Sequence, residues 1–144
     1  MSRRARVEIQ VRFGDTDALG HINNATYATY AELGRVELVR DLGLPPGGFI
    51  LARLALDYRR QVRLGQVVSV ETWVERVGNS SVTMRQEILA DGEVAVEVEA
   101  VAVWFDYAKN VPVRVPDAAR RVFAAWRVGD GRPSRPAPPP PPGG

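Results

Sequence analysis

YATYAELGRVELVRDLG, Tyr27 to Gly43, is the one long stretch of this chain whose apolar residues recur at helical spacing. Tyr27, Tyr30, Ala31, Gly34, Leu38 and Leu42 share a stripe, and Leu33, Val36 and Val39 widen it, so the helix is expected to be substantially buried. Glycine inside a helix costs about 1 kcal/mol relative to alanine. Gly34 therefore suggests a point where the helix approaches a sheet closely. Gly43 and the pair Pro45-Pro46 are the stop signals.

Everything around this helix reads as strand. Before it, Val7, Ile9, Val11 and Phe13 alternate with Arg6, Glu8, Gln10 and Arg12, the period of a strand with one buried face. After it, apolar alternation marks strands over 50–60, 67–77, 80–89 and 94–106. Gly78-Asn79 and Asp91-Gly92 are the turns between the later ones, and an Asp-Gly flanked by alternating runs is a strong hairpin signal. Pro116 opens a short last helix, Asp117 to Trp126, with Val122, Phe123 and Trp126 inward. One long helix among consecutive antiparallel strands predicts an α+β fold, a five-stranded antiparallel sheet curved around the helix. One helix cannot cover such a sheet, so self-association is expected.

The chain's 144 residues make one domain, expected over 1–128. From Gly129 to Gly144 only Ala and Pro are apolar, and this stretch is expected to be a disordered, proline-rich tail. The formal charge is +2, carried almost wholly by arginine, with Lys109 the sole lysine and no basic block longer than Arg3-Arg4. Nucleic acid is not the expected partner. With no cysteine, disulfides and thiolate chemistry are excluded. No apolar run approaches the roughly 20 residues that span a bilayer. MSRRARVEIQVRF has no apolar segment behind its basic residues, so no membrane and a cytoplasmic location are expected.

The polar groups gather in FGDTDALGHINN, Phe13 to Asn24, between the first strand and the helix. Asp15 and Asp17 share a side if the strand persists. Gly20 offers backbone freedom, and Asn23 or Asn24 is a good N-cap for a helix starting near Ala25. A helix N-terminus carries unpaired N–H groups that stabilise an oxyanion, and a carboxylate beside it completes a hydrolytic site. Asp and Asn also populate turns for local reasons, so either aspartate can be structural. One histidine and no cysteine make a nucleophile–histidine triad or a zinc site a poor fit, and no G-x-S-x-G is present. A magnesium-dependent D-x-D motif wants a buried parallel strand, which the half-polar first strand is not.

The run VRFGDTDALGHINNATYATYAELGR, Val11 to Arg35, resembles the opening of hotdog-fold acyl-CoA thioesterases of the 4-hydroxybenzoyl-CoA thioesterase type. Leu56 to Val82, Phe105-Asp106 and the following VPVRVP resemble that family's later strands. The likeness covers Val7 to Trp126, and D-T-D-x-x-G-H-x-N-N is its specific part. It implies a sheet wrapped around the long helix, a homodimer or homotetramer with sites between subunits, and thioester hydrolysis without cofactor or metal. It assigns the catalytic carboxylate to Asp17, as nucleophile or general base, and the oxyanion donor to the backbone N–H of Asn24. His21 and Asn23 match positions that line or brace the site. Another branch of the family places its acid inside the helix; Glu32 fits that position, but Arg35 at i+3 offers it an ion pair instead. Arg59, Arg60 and Arg63 are candidates for coenzyme A phosphates, and Tyr27 and Tyr30 for the acyl pocket. The other readings the resemblance allows are a protein that binds acyl-CoA or an acyl carrier without turnover, and a hydratase.

Overall fold

The computed structural model describes residues 3–44 and 47–126. The proline-rich stretch from Gly129 and the pair Pro45-Pro46 lie outside the described residues. The chain forms β1 (Ala5–Ile9), α1 (Thr26–Leu42), β2 (Phe49–Tyr58), β3 (Val68–Val77), β4 (Ser81–Ala90), β5 (Glu93–Asp106), β6 (Val111–Pro112) and α2 (Asp117–Trp126). The sheet runs β1-β3-β4-β5-β2 with every pairing antiparallel, and the two-residue β6 adds to β5. Register shifts at Leu51/Arg53, Val74/Arg76 and Ile88/Leu89 break the ladders. Such bulges bend and twist a strand, which lets the sheet curl around α1. The Asp91-Gly92 hairpin has φ of 50° and 82°, the left-handed pair a two-residue turn requires.

α1 lies across β1, β3 and β4 and divides the core in two. Toward its start, Tyr27, Tyr30 and Ala31 pack with Ile22, Val62, Val70, Ile88, Val96 and Val98. Toward its end, Leu38 and Leu42 pack with Val74, Val82, Met84, Ala100 and Phe123 of α2. Between the two halves runs a polar seam. Gln86, 1% exposed, donates through Nε2 to the Ala31 carbonyl at 2.7 Å and to Thr72 Oγ1 at 2.9 Å. Its Oε1 accepts from Arg35 Nη1 at 3.1 Å. Gly34 sits over this seam, so the helix drops onto the sheet there. α2 is tied down by Arg120, whose guanidinium donates to the carbonyls of Gly78 and Asn79 at 2.7 Å and of Val115 at 3.1 Å.

The sheet's outer face is charged. Glu71, Glu87, Glu97 and Asp57 stand directly opposite one another across four strands. Like charges in register repel, and arginines interleave them. Arg4 reaches Glu87 at 2.7 Å and Glu71 at 3.1 Å over the Trp73 ring, and Arg59 reaches Glu97 at 3.1 Å.

Three expectations need correction. β1 ends at Ile9 rather than running through Phe13, which is 82% exposed, because Asp15 draws the chain into a 3-10 turn over Phe13–Asp15. Leu33 and Val36 are 45% and 52% exposed, so the apolar surface of α1 is wider than the sheet covers within one chain. Arg35 turns to Gln86 rather than serving simply as partner to Glu32, which is exposed and acts on Arg35 through its charge.

Candidate active site

The two aspartates of the motif take opposite paths. Asp15 is buried, its Oδ2 accepting the Arg12 N–H at 3.0 Å and the Tyr30 hydroxyl at 2.8 Å, while Arg12 Nη2 reaches Oδ1 at 3.3 Å. The Arg12 N–H first, then the Tyr30 hydroxyl and the Arg12 charge, hold the Asp15 carboxyl below the usual range against the opposing effect of burial. Burial and the bond to Asp15 push the Tyr30 hydroxyl up, so it remains a donor. A depressed carboxyl stabilises the fold above the unfolded-state value of about 3.9 and loses that contribution as pH falls through the folded value. Asp15→Asn is therefore expected to flatten the loss of stability between about pH 4 and 2 while lowering stability at neutral pH by about 1.5–3 kcal/mol. Urea unfolding across that range checks it; parallel curves would contradict it.

Asp17 points outward. Thr16 and Ile22 pair as an isolated bridge, closing a small hairpin in which the Asp17 N–H donates to the His21 carbonyl at 2.7 Å. Asp17 Oδ1 accepts the N–H of Leu19 at 2.8 Å and of His21 at 3.1 Å. Gly20, at φ +79°, makes the turn possible. The carboxylate is thus exposed yet fixed by two backbone donors, and its bonds among the described residues all fall on Oδ1. The far limb of the hairpin runs beside Val62–Leu64: Ile22 N–H donates to Val62 O at 2.8 Å, and half-buried His21 pairs with Arg63.

The approach to α1 is built from Asn23 and Asn24. The Asn23 N–H donates to the Asp15 carbonyl at 2.8 Å, its Oδ1 accepts the Ala25 N–H at 2.9 Å and its carbonyl accepts the Thr26 N–H at 2.9 Å. The expected N-cap is corrected here: α1 starts at Thr26 with Ala25 at the cap position and no side-chain cap, because Asn23 spends its amide oxygen just before the helix. The Asn24 carbonyl accepts the Tyr58 hydroxyl at 3.0 Å, and among the described residues the Asn24 N–H has no acceptor.

Tyr27 is 2% exposed, its hydroxyl accepts the Val62 N–H at 3.2 Å, and its ring meets Tyr58 edge-on at 5.4 Å. Burial first, with the Tyr58 and Asp17 charges as lesser causes, pushes its hydroxyl up. The three arginines separate. Arg59 is engaged by Glu97 and Arg60 by Glu93 at 2.7 Å, whereas Arg63 is exposed beside the motif. Among the described residues no three His, Cys, Asp or Glu side chains are grouped so as to hold a metal ion, and no helix is long and apolar enough to cross a membrane.

The sequence pattern of the Thioesterase-like superfamily matches residues 11–126. The chain belongs to that superfamily. A thioesterase of Thermus thermophilus, crystallised with coenzyme A and zinc, is 36% identical to this thioesterase-like chain. The two superpose with a TM-score of 0.79, covering 90% of this chain and 96% of the other. The acyl-CoA thioesterase YbgC of Haemophilus influenzae is 25% identical over 123 residues, 80% of this chain and 90% of its own. A chloroplastic acyl-acyl carrier protein thioesterase of Arabidopsis thaliana is 29% identical over 130 residues, 84% of this chain and 69% of its own. The hotdog architecture expected from the motif is the one observed. Two tyrosines beside this loop were not legible as what they are. Tyr30 looks like a core residue and locks Asp15; Tyr58 looks like the end of an apolar strand, and only the polar run after it hints that its hydroxyl meets a loop.

Proposed function

We propose that the chain hydrolyses acyl-CoA thioesters to a carboxylic acid and free coenzyme A. The observation that carries this is the outward Asp17 carboxylate, fixed by two backbone N–H groups, in the loop that leads to an Asn24 N–H with no acceptor among the described residues, ahead of a 17-residue helix. As general base, Asp17 takes a proton from a water attacking the thioester carbon. The carbonyl oxygen becomes an oxyanion that accepts the Asn24 N–H, aided by the helix N-terminus. Collapse breaks the C–S bond, and the departing thiolate takes a proton. As nucleophile, Asp17 forms an acyl anhydride that water then opens; the products and the oxyanion contact are the same. His21 braces the loop through its backbone bonds to Asp17.

Arg63 is the best placed of the three arginines for a coenzyme A phosphate, since Arg59 and Arg60 already pair with acids. Arg63→Ala is expected to raise KM for acyl-CoA about fivefold to tenfold with kcat unchanged, the signature of lost uniform binding. The same substitution is expected to leave KM for an acyl-pantetheine, which lacks those phosphates, unmoved; equal effects on both would remove the assignment. The open edge of β2, with Ile50 and Leu51 37% and 44% exposed, offers a second copy a strand to pair with. We assign a homodimer to it, which light scattering of the full chain as a monomer would contradict.

Release of free thiol from acyl-CoAs of graded chain length tests the function itself. Turnover supports hydrolysis. Tight binding without thiol release at any length favours the acyl-binding alternative, and turnover only on acyl carrier protein moves the substrate to the carrier.

A further inference from the structure

The Asn24 N–H is held in place by a clamp on the peptide that follows it, and one jaw of that clamp comes from the sheet. We infer that Tyr58 is a positioning residue for the oxyanion donor, its hydroxyl fixing the Asn24 carbonyl while Asn23 Oδ1 fixes the Ala25 N–H. This rests on the reading of Asp17 and Asn24 given above.

Four polar backbone groups belong to the two peptide planes that meet at Asn24. The Asn23 carbonyl accepts the Thr26 N–H at 2.9 Å, the Ala25 N–H donates to Asn23 Oδ1 at 2.9 Å, and the Asn24 carbonyl accepts the Tyr58 hydroxyl at 3.0 Å. The fourth is the Asn24 N–H. In a trans peptide N–H and C=O point opposite ways, so binding the Asn23 carbonyl to Thr26 turns the Asn24 N–H away from the helix. The bonds made by Asn23 Oδ1 and by its carbonyl lie within Asn23–Thr26, and the Asn23 N–H is held by the Asp15 carbonyl at 2.8 Å. The bond from Tyr58 is different, because it ties Asn24 itself to a strand.

Asn24 precedes the Ala25 cap, so its carbonyl lies outside the ladder of α1. Ala28 donates to the Ala25 carbonyl at 3.2 Å, and the Asn24 carbonyl is left for Tyr58. Tyr58 is placed for the task by its pairing with Val96 across β2 and β5 and by the edge-on contact of its ring with buried Tyr27 at 5.4 Å. Its exposure of 52% means that its hydroxyl adds little to the core, so fold and positioning can be separated experimentally.

The test is Tyr58→Phe, which removes the hydroxyl and keeps the ring, assayed on an acyl-CoA that the wild type turns over. The expected result is a fall in kcat of about tenfold, smaller than the roughly 10²–10³ for removing an oxyanion donor outright. KM should stay within about twofold and the melting temperature should not move, since the interaction matters in the transition state alone. Asn23→Ala removes the other jaw of the same clamp, so the double variant should lose less than the product of the single losses. An unchanged kcat in Tyr58→Phe, a loss appearing only in KM, or strictly multiplicative losses would each overturn the inference. Asp17→Asn is assayed beside them. If Asp17→Asn is inactive and Tyr58→Phe matches wild type, the clamp alone fails; if Asp17→Asn is fully active, the reading of the site fails first.

Discussion

Gly34→Ala is expected to lower the unfolding free energy by about 2–4 kcal/mol and the melting temperature by about 10 °C. A Cβ on Gly34 would stand 2.5 Å from Val70 Cγ1, 2.7 Å from Gln86 Nε2 and 2.8 Å from Thr72 Oγ1. None of these can step aside cheaply, because Val70 and Thr72 are fully buried and Gln86 is 1% exposed. Gln86 Nε2 is also committed to the Ala31 carbonyl and to Thr72, and its Oε1 to Arg35. Pushing the amide away leaves buried polar groups unpaired at about 1–3 kcal/mol each. The better helix propensity of alanine returns only about 1 kcal/mol. Lifting α1 instead would open both halves of the core at once. Thermal unfolding measures the outcome, and a variant melting within about 2 °C of wild type would contradict the close approach of helix to sheet.

That seam also marks the limit of what the sequence made legible. Helical spacing over Tyr27–Leu42, the Asp91-Gly92 hairpin and Asp117–Trp126 are local signals, and the elements lie where those signals place them. Gly34 pointed to a close approach for the right reason. Thr72 and Gln86 gave no such hint, because a polar residue on the inner face of a strand reads as a break in alternation until its partners across the sheet are known. The end of β1 misled in the opposite way: Val11 and Phe13 continue the alternation, and only the capture of Asp15 by Arg12 and Tyr30, the latter 15 residues on, ends the strand. Leu33 and Val36 are apolar at helical spacing, yet the side they face depends on sheet width and on neighbouring chains. The two aspartates are indistinguishable by local pattern. The family resemblance chose Asp17; the fold itself shows only that Asp15 is buried and Asp17 exposed.

The larger functional effect is expected at Asp17. Asp17→Asn preserves the shape of the side chain, and its amide oxygen can still accept the N–H groups of Leu19 and His21 that fix the loop. Fold, loop and the Asn24 N–H should therefore survive, while the carboxylate proposed to take the proton or attack the carbonyl is gone. Loss of a positioned general base is worth about 10²–10⁴ in rate. Substrate affinity is assigned above to other groups, Arg63 among those proposed, so the loss should fall on kcat.

Steady-state thiol release from an acyl-CoA by wild type and Asp17→Asn, each shown to melt at the same temperature, tests the account most directly. The predicted result is a fall in kcat of about 10³-fold with KM within about threefold of wild type. A folded Asp17→Asn protein that turns over at the wild-type rate would contradict it.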